Sequence, residues 1–153
     1  MRFEHDFSVN APLERVWEFL MDVPRMAVCI PGTSAVTPVD ERNYDATVVA
    51  KIGPITARFG CRITVVSLDP VAHAATIELS GKDNRLGGSV HGKMAMTLSG
   101  SVDGTMVRIV SDVDVLGKIG QYGHGVIAKR ADAMLTDFAG CARAALASPG
   151  AVR

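Results

Sequence analysis

Neither sign of charge prevails in this 153-residue sequence: sixteen lysines and arginines balance sixteen aspartates and glutamates, for a formal net charge of zero. A chain without a basic excess has no electrostatic footprint for DNA or RNA, so nucleic acid is excluded as an expected partner. Long apolar runs are missing too, and no stretch approaches the roughly 20 residues that a membrane-spanning helix needs. The N-terminus, Met1-Arg2-Phe3-Glu4-His5-Asp6, is charged from the start and has no signal-peptide core. Cysteine is scarce. Cys29, Cys61 and Cys141 are odd in number, far apart and without a CxxC pair, which argues against a disulfide scaffold and fits a reducing cytoplasm. Cys29 is the one expected at an exposed position.

Several chemistries lack their residues as well. The four histidines (His5, His73, His91, His124) fall on separate segments with no metal-ligand spacing. No nucleophile elbow occurs, and no pair of acids stands on an apolar face. The glycine-rich stretch from 117 to 125 lacks the Gly-Lys-Ser/Thr ending of a phosphate loop and has no βαβ unit around it. It reads as a flexible junction or a gate, and the loop from 81 to 88 reads the same way. No catalytic residue and no metal ligand is expected.

What remains is a hydrophobic content of 48%, enough to bury one core. Phe3, His5, Phe7 and Val9 alternate with Glu4, Asp6 and Ser8, the period of a half-buried strand. Asn10 as N-cap and Pro12 in the first turn then predict a short helix with Val16, Trp17, Phe19 and Leu20 on its apolar side. A second short helix is expected around 25–28, before Ile30-Pro31-Gly32 forces a turn. From 33 to about 116 the period is two, with turns at Gly53-Pro54, Asp69-Pro70 and 101–104. Short turns between consecutive strands predict an antiparallel meander. Its outer face carries Arg58, Arg62, Glu78, Lys93 and Arg108; Asp112 and Asp114 read as solvated. After Gly117 the period becomes helical, and Ile127, Ala131, Met134, Leu135, Phe138 and Ala142 form one stripe of a helix running to about 147.

The fold class is therefore α+β, a curved antiparallel sheet wrapped around a long C-terminal helix, in one domain over 1–147 followed by a short tail at 148–153. The inward positions mix large side chains with small ones, among them Ala46, Ala50, Ala57, Ala75, Gly92 and Ala131. Such a mixture either packs closely or leaves an apolar cavity against the helix. For the cavity, the candidate wall is Trp17, Phe59, Ile63, Ile77, Met94, Met96 and Val107. The helix adds Ile127, Met134 and Phe138, and Tyr122 stands in the gate.

Certain motifs resemble the carbon monoxide dehydrogenase G-subunit family, within the START/helix-grip superfamily. They are Phe3-Glu4, Ala11-Pro12-Leu13-Glu14-Arg15-Val16-Trp17, Leu20-Met21-Asp22, Cys29-Ile30-Pro31-Gly32, Lys51-Ile52-Gly53-Pro54, Phe59-Gly60 and Gly117-Lys118-Ile119-Gly120-Gln121-Tyr122-Gly123. The resemblance spans about 1–147, and Cys-Ile-Pro-Gly after a tryptophan-bearing helix is its most specific part. It implies a seven-stranded helix-grip fold with two short helices after the first strand. It also implies a non-catalytic accessory to a molybdenum hydroxylase of the carbon monoxide dehydrogenase type. The implied ligand is a quinone or other lipid, without a covalent cofactor, and peripheral contact with the inner membrane is implied as well. Some members carry a hydrophobic C-terminal anchor; this sequence departs there, with Ser148-Pro149-Gly150-Ala151-Val152-Arg153 after the helix, so either the sequence is truncated before an anchor or this member works without one. Two alternatives stand beside the carrier: a docking factor whose cavity is incidental, and a cyclase-like enzyme using Ser111, Tyr44 and His73.

Overall fold

A computed structural model of the chain describes residues 1–147 except Gly53, Leu86 and Lys118, with the side chains of these residues other than Ile119, Tyr122 and His124. The Gly53 half of the expected Gly53-Pro54 turn, the Tyr122 gate, Lys118 and the tail at 148–153 lie outside what is described.

The chain runs β1 (Arg2–Val9), α1 (Leu13–Met21), α2 (Val23–Ala27), β2 (Thr33–Pro38), β3 (Asn43–Ile52), β4 (Ile55–Asp69), β5 (Ala74–Asp83), β6 (Gly88–Ser101) and β7 (Gly104–Leu116). A 3-10 turn at Ile119–Tyr122 then leads into α3 (His124–Ala147). The seven strands form one sheet in the order β1-β7-β6-β5-β4-β3-β2, antiparallel throughout. The first strand therefore pairs with the last, and α1 with α2 carries the chain from one edge of the sheet to the other. α3 packs on the inward face, and the architecture is that of a helix grip.

Register explains why alternation in the sequence becomes one apolar face. Val65 faces Ile77, Ile77 faces Met94, Met94 faces Ser111 and Ser111 faces Phe3, so one inward row crosses five strands. On the outer face Arg62 Nε meets Asp45 at 2.6 Å, while Arg108 pairs with Asp6 at 3.0 Å and with Glu4. These exposed pairs contribute little to stability.

The local starts and stops differ from expectation in three places. Asn10 is not the N-cap, because α1 begins only at Leu13; Pro12 stands at the cap and supplies no side-chain acceptor. The segment before it is instead held by the Thr105 hydroxyl, which donates to the Ala11 carbonyl at 2.8 Å. The second helix begins at Val23 because the Asp22 carboxylate accepts from Arg25 N–H at 3.5 Å. The expected loop at 81–88 is shorter, since β5 pairs with β6 out to Asp83 and Gly88. Asp83 sits buried there and accepts from the backbone N–H groups of Arg58 (2.7 Å) and Arg85 (3.0 Å).

The cysteines bring the largest correction. Cys29 is buried, not exposed, and forms a disulfide with Cys141 on α3. Spacing along the chain gives no hint of this, because the pairing joins residues 112 apart with Cα atoms only 5.4 Å apart. Folding, not sequence proximity, brings the turn after α2 against the long helix. Gly32 closes that turn with φ of +82°, its Cα so near Val49 that an added Cβ would lie 2.0 Å from the Val49 carbonyl oxygen. In return Val49 N–H donates to the Gly32 carbonyl at 3.0 Å. The glycine of Cys29-Ile30-Pro31-Gly32 is thus required by both conformation and space.

Candidate functional site

The core is in two parts. One gathers Val16, Trp17, Phe19 and Leu20 of α1 with the inward residues of β1, β6 and β7 and with Phe138, Ala139, Ala142 and Leu146 of α3. The other gathers Val48, Ala50 and Ile52 of β3, Ala57, Phe59 and Cys61 of β4, and Ile127 near the start of α3. Between them, under the N-terminal half of α3, is an apolar cavity of about 250 Å³.

Small side chains open it. Ala50 and Gly92 on the sheet and Ala131 on the helix all line it, and a Cβ on Gly92 would meet nothing closer than 3.7 Å. Met26, Met94, Met96 and Met134 supply adaptable walls. Of the expected wall residues, the structure brings seven to this cavity: Phe59, Ile63, Met94, Met96, Ile127, Met134 and Phe138.

Three others lie elsewhere. Trp17 is buried in α1 and meets His73 edge-on, with ring centroids 5.4 Å apart. Ile77 and Val107 are each one pleat repeat off the mark: Leu79 and Ile109, two residues further along the same strands, reach the cavity. Ile77 and Val107 belong to the part of the core that α1 covers, so the inward face is correct but the place along the strand is not.

Polar groups on the wall are few among the described residues: Thr33 on β2, Ser111 on β7, Arg130 on α3 and the Cys61 thiol. Burial pushes that thiol up to about 11, so it stays protonated and unreactive near neutrality. Ser111, expected to lean inward, does so. Tyr44 instead lines a separate small pocket with Leu20, Val65 and Ile77. His73 faces Glu14, with Nε2 to Oε1 at 2.7 Å. The three residues of a cyclase-like site are therefore not assembled around one space. The sequence pattern does not single out Arg130 or Thr33, although Arg130 stands on the inward stripe at three residues from Ile127.

The family of carbon monoxide dehydrogenase G-subunits (CoxG) matches residues 6–147. Among solved structures, a conserved protein from Geobacillus kaustophilus is similar at 20% identity, with a TM-score of 0.87 over 96% of this chain and 95% of that one. A Streptomyces aromatase/cyclase is similar at 17% identity and a TM-score of 0.63, over 93% of each chain. A Mycobacterium smegmatis protein is similar at 13% identity and 0.68, over 95% of this chain and 90% of that one. At these identities the likeness establishes the fold. Among curated proteins, none matches the chain.

Proposed function

The chain belongs to the carbon monoxide dehydrogenase G-subunit family, and on that premise we propose that it is a non-catalytic carrier for an apolar small molecule of the quinone or lipid type. The observation that supports this reading is the cavity between the sheet and α3, apolar on nearly all of its described wall. Its size limits the cargo. A dry apolar cavity of about 150 Å³ accepts benzene, so about 250 Å³ suits a fused bicyclic ring, or one ring with a short tail. A long isoprenoid tail exceeds that volume and would need additional room.

The carrier serves a molybdenum hydroxylase of the carbon monoxide dehydrogenase type, as the family name supports. It works as a cytoplasmic protein, peripheral at the inner face of the membrane; no helix among the described residues is long and apolar enough to cross. The Cys29–Cys141 disulfide is unusual for a reducing compartment, so uptake is to be measured with and without reductant.

The test is native mass spectrometry with lipid extraction, on protein purified from a quinone-producing host. One bound quinone or lipid per chain is the expected result. A protein that emerges empty and takes up neither added menadione nor an apolar carboxylate or hydrocarbon of the same size would overturn the carrier, and would favour a docking factor for the dehydrogenase.

A further inference from the structure

Arg130 is out of character on the cavity wall. It stands on the inward stripe of α3, three residues after Ile127 and four before Met134, where a leucine or methionine would complete an apolar lining. Its Nε is sealed from solvent and has no hydrogen-bond partner, and the Thr33 hydroxyl on the same wall is in the same state. A buried donor without an acceptor costs free energy that native proteins rarely leave uncompensated. Arginine adds a fixed positive charge, and none of the ion pairs among the described residues includes Arg130.

We propose that Arg130 anchors the head of the ligand: the occupant is an apolar molecule bearing one anionic oxygen group, with a carboxylate as its simplest form. The Nε–H donates to that oxygen, and the rest of the molecule lies among the methionines and Phe59. This rests on the reading of the cavity as a ligand site and narrows its cargo. A neutral carbonyl would satisfy the donor without pairing the guanidinium charge of the half-buried Arg130. A carboxylate does both, and charge-assisted hydrogen bonds are roughly twice as strong as neutral ones. Thr33 can give its hydroxyl proton to the same head or to a neutral part of the molecule.

The test uses three probes of one bicyclic size: naphthalene, 2-naphthoate and menadione, titrated calorimetrically into the wild-type chain and into Arg130→Met. The expected result is a loss of about ten- to a hundredfold in 2-naphthoate affinity, with naphthalene changed less than about twofold because its contacts are apolar. Retained naphthalene binding also shows that the variant is folded. If Arg130→Met does not fold, Arg130→Lys carries the comparison: a compact ammonium lacks the guanidinium fork, and a severalfold loss confined to 2-naphthoate is expected. Equal 2-naphthoate affinity in wild type and variant, with naphthalene bound by both, overturns the anchor and leaves the carrier intact. A loss as large for menadione as for 2-naphthoate overturns the anionic class. A wild-type chain that binds none of the three overturns the carrier itself, and the anchor with it.

Discussion

Cys29, in the turn after α2, is covalently joined to Cys141 on α3, two residues before Arg143, which donates from Nε to the Ser8 carbonyl at 2.8 Å. The bond closes a loop of over a hundred residues, and cross-links of this kind stabilise mainly by restricting the unfolded chain. Replacing both cysteines by alanine is expected to lower the free energy of unfolding by about 2–4 kcal/mol. Urea titration in the absence of reductant measures it. An unchanged midpoint would mean that the two sulfurs are not bonded in the folded protein.

The cavity should be fillable without harm to the fold. Ala131 faces it from α3, and a phenyl ring requires no more than about 150 Å³. Ala131→Phe is expected to abolish uptake of naphthalene and menadione while changing stability by less than about 1.5 kcal/mol. Calorimetric titration beside thermal unfolding separates the two effects. Full binding by this variant would show that ligands sit somewhere else.

Cys61 provides a pH signature. The folded chain holds its thiol proton up to about pH 11, whereas the unfolded chain releases it near the ordinary value of 9.0. Between those limits the native state binds more protons, so its stability falls as pH rises. The contribution is complete below pH 9 and is lost on the way to about 11. The thermal midpoint of the wild type should therefore decline over this window more steeply than that of Cys61→Ala. At about pH 8 iodoacetamide should leave Cys61 unmodified in the folded protein and label it on unfolding.

Gly32 should tolerate no side chain. Its positive φ alone would cost alanine about 1–2 kcal/mol, and the approach to the Val49 carbonyl adds a clash. Gly32→Ala is thus expected to be destabilised by more than that, with the start of β2 displaced. Chemical denaturation gives the magnitude, and a variant as stable as the wild type would contradict the turn geometry.

Much of the fold is legible in the sequence because its information is local and periodic. The pleat gives the inward residues of β3 to β7 except at the end of β5, where Gly81 and buried Asp83 fall in a stretch that reads as a loop, and the three-and-four spacing gives the stripe of α3. What periodicity cannot give is position along the face. Ile77 and Leu79 obey the same alternation, yet only Leu79 reaches the cavity, because α1 and α2 cover one end of the sheet and leave the other to the helix. Arg130 escapes such a reading because a charged residue within an apolar stripe looks like its edge; its isolation is a property of three-dimensional surroundings. The Cys29–Cys141 pairing depends on the approach of the turn after α2 to the long helix, two segments that share no local pattern.

The two halves of α3 are held very differently. Beyond Phe138 the helix buries Ala139, Ala142 and Leu146, carries the disulfide, and accepts from Arg15 Nη2 at the Leu146 carbonyl at 3.2 Å. Before Phe138 only Ile127 is buried among the described side chains, and His5 Nε2 on β1 meets the exposed Asp132 carboxylate at 3.0 Å. The helix is in effect a cantilever, clamped at one end and resting on a void at the other. Local opening costs least where little is buried, so the N-terminal half of α3 is the part of the cavity wall that parts from the sheet most easily, while the clamp keeps the fold intact. The wall of the cavity is thereby separated from the strength of the scaffold, and substitutions can alter one without weakening the other.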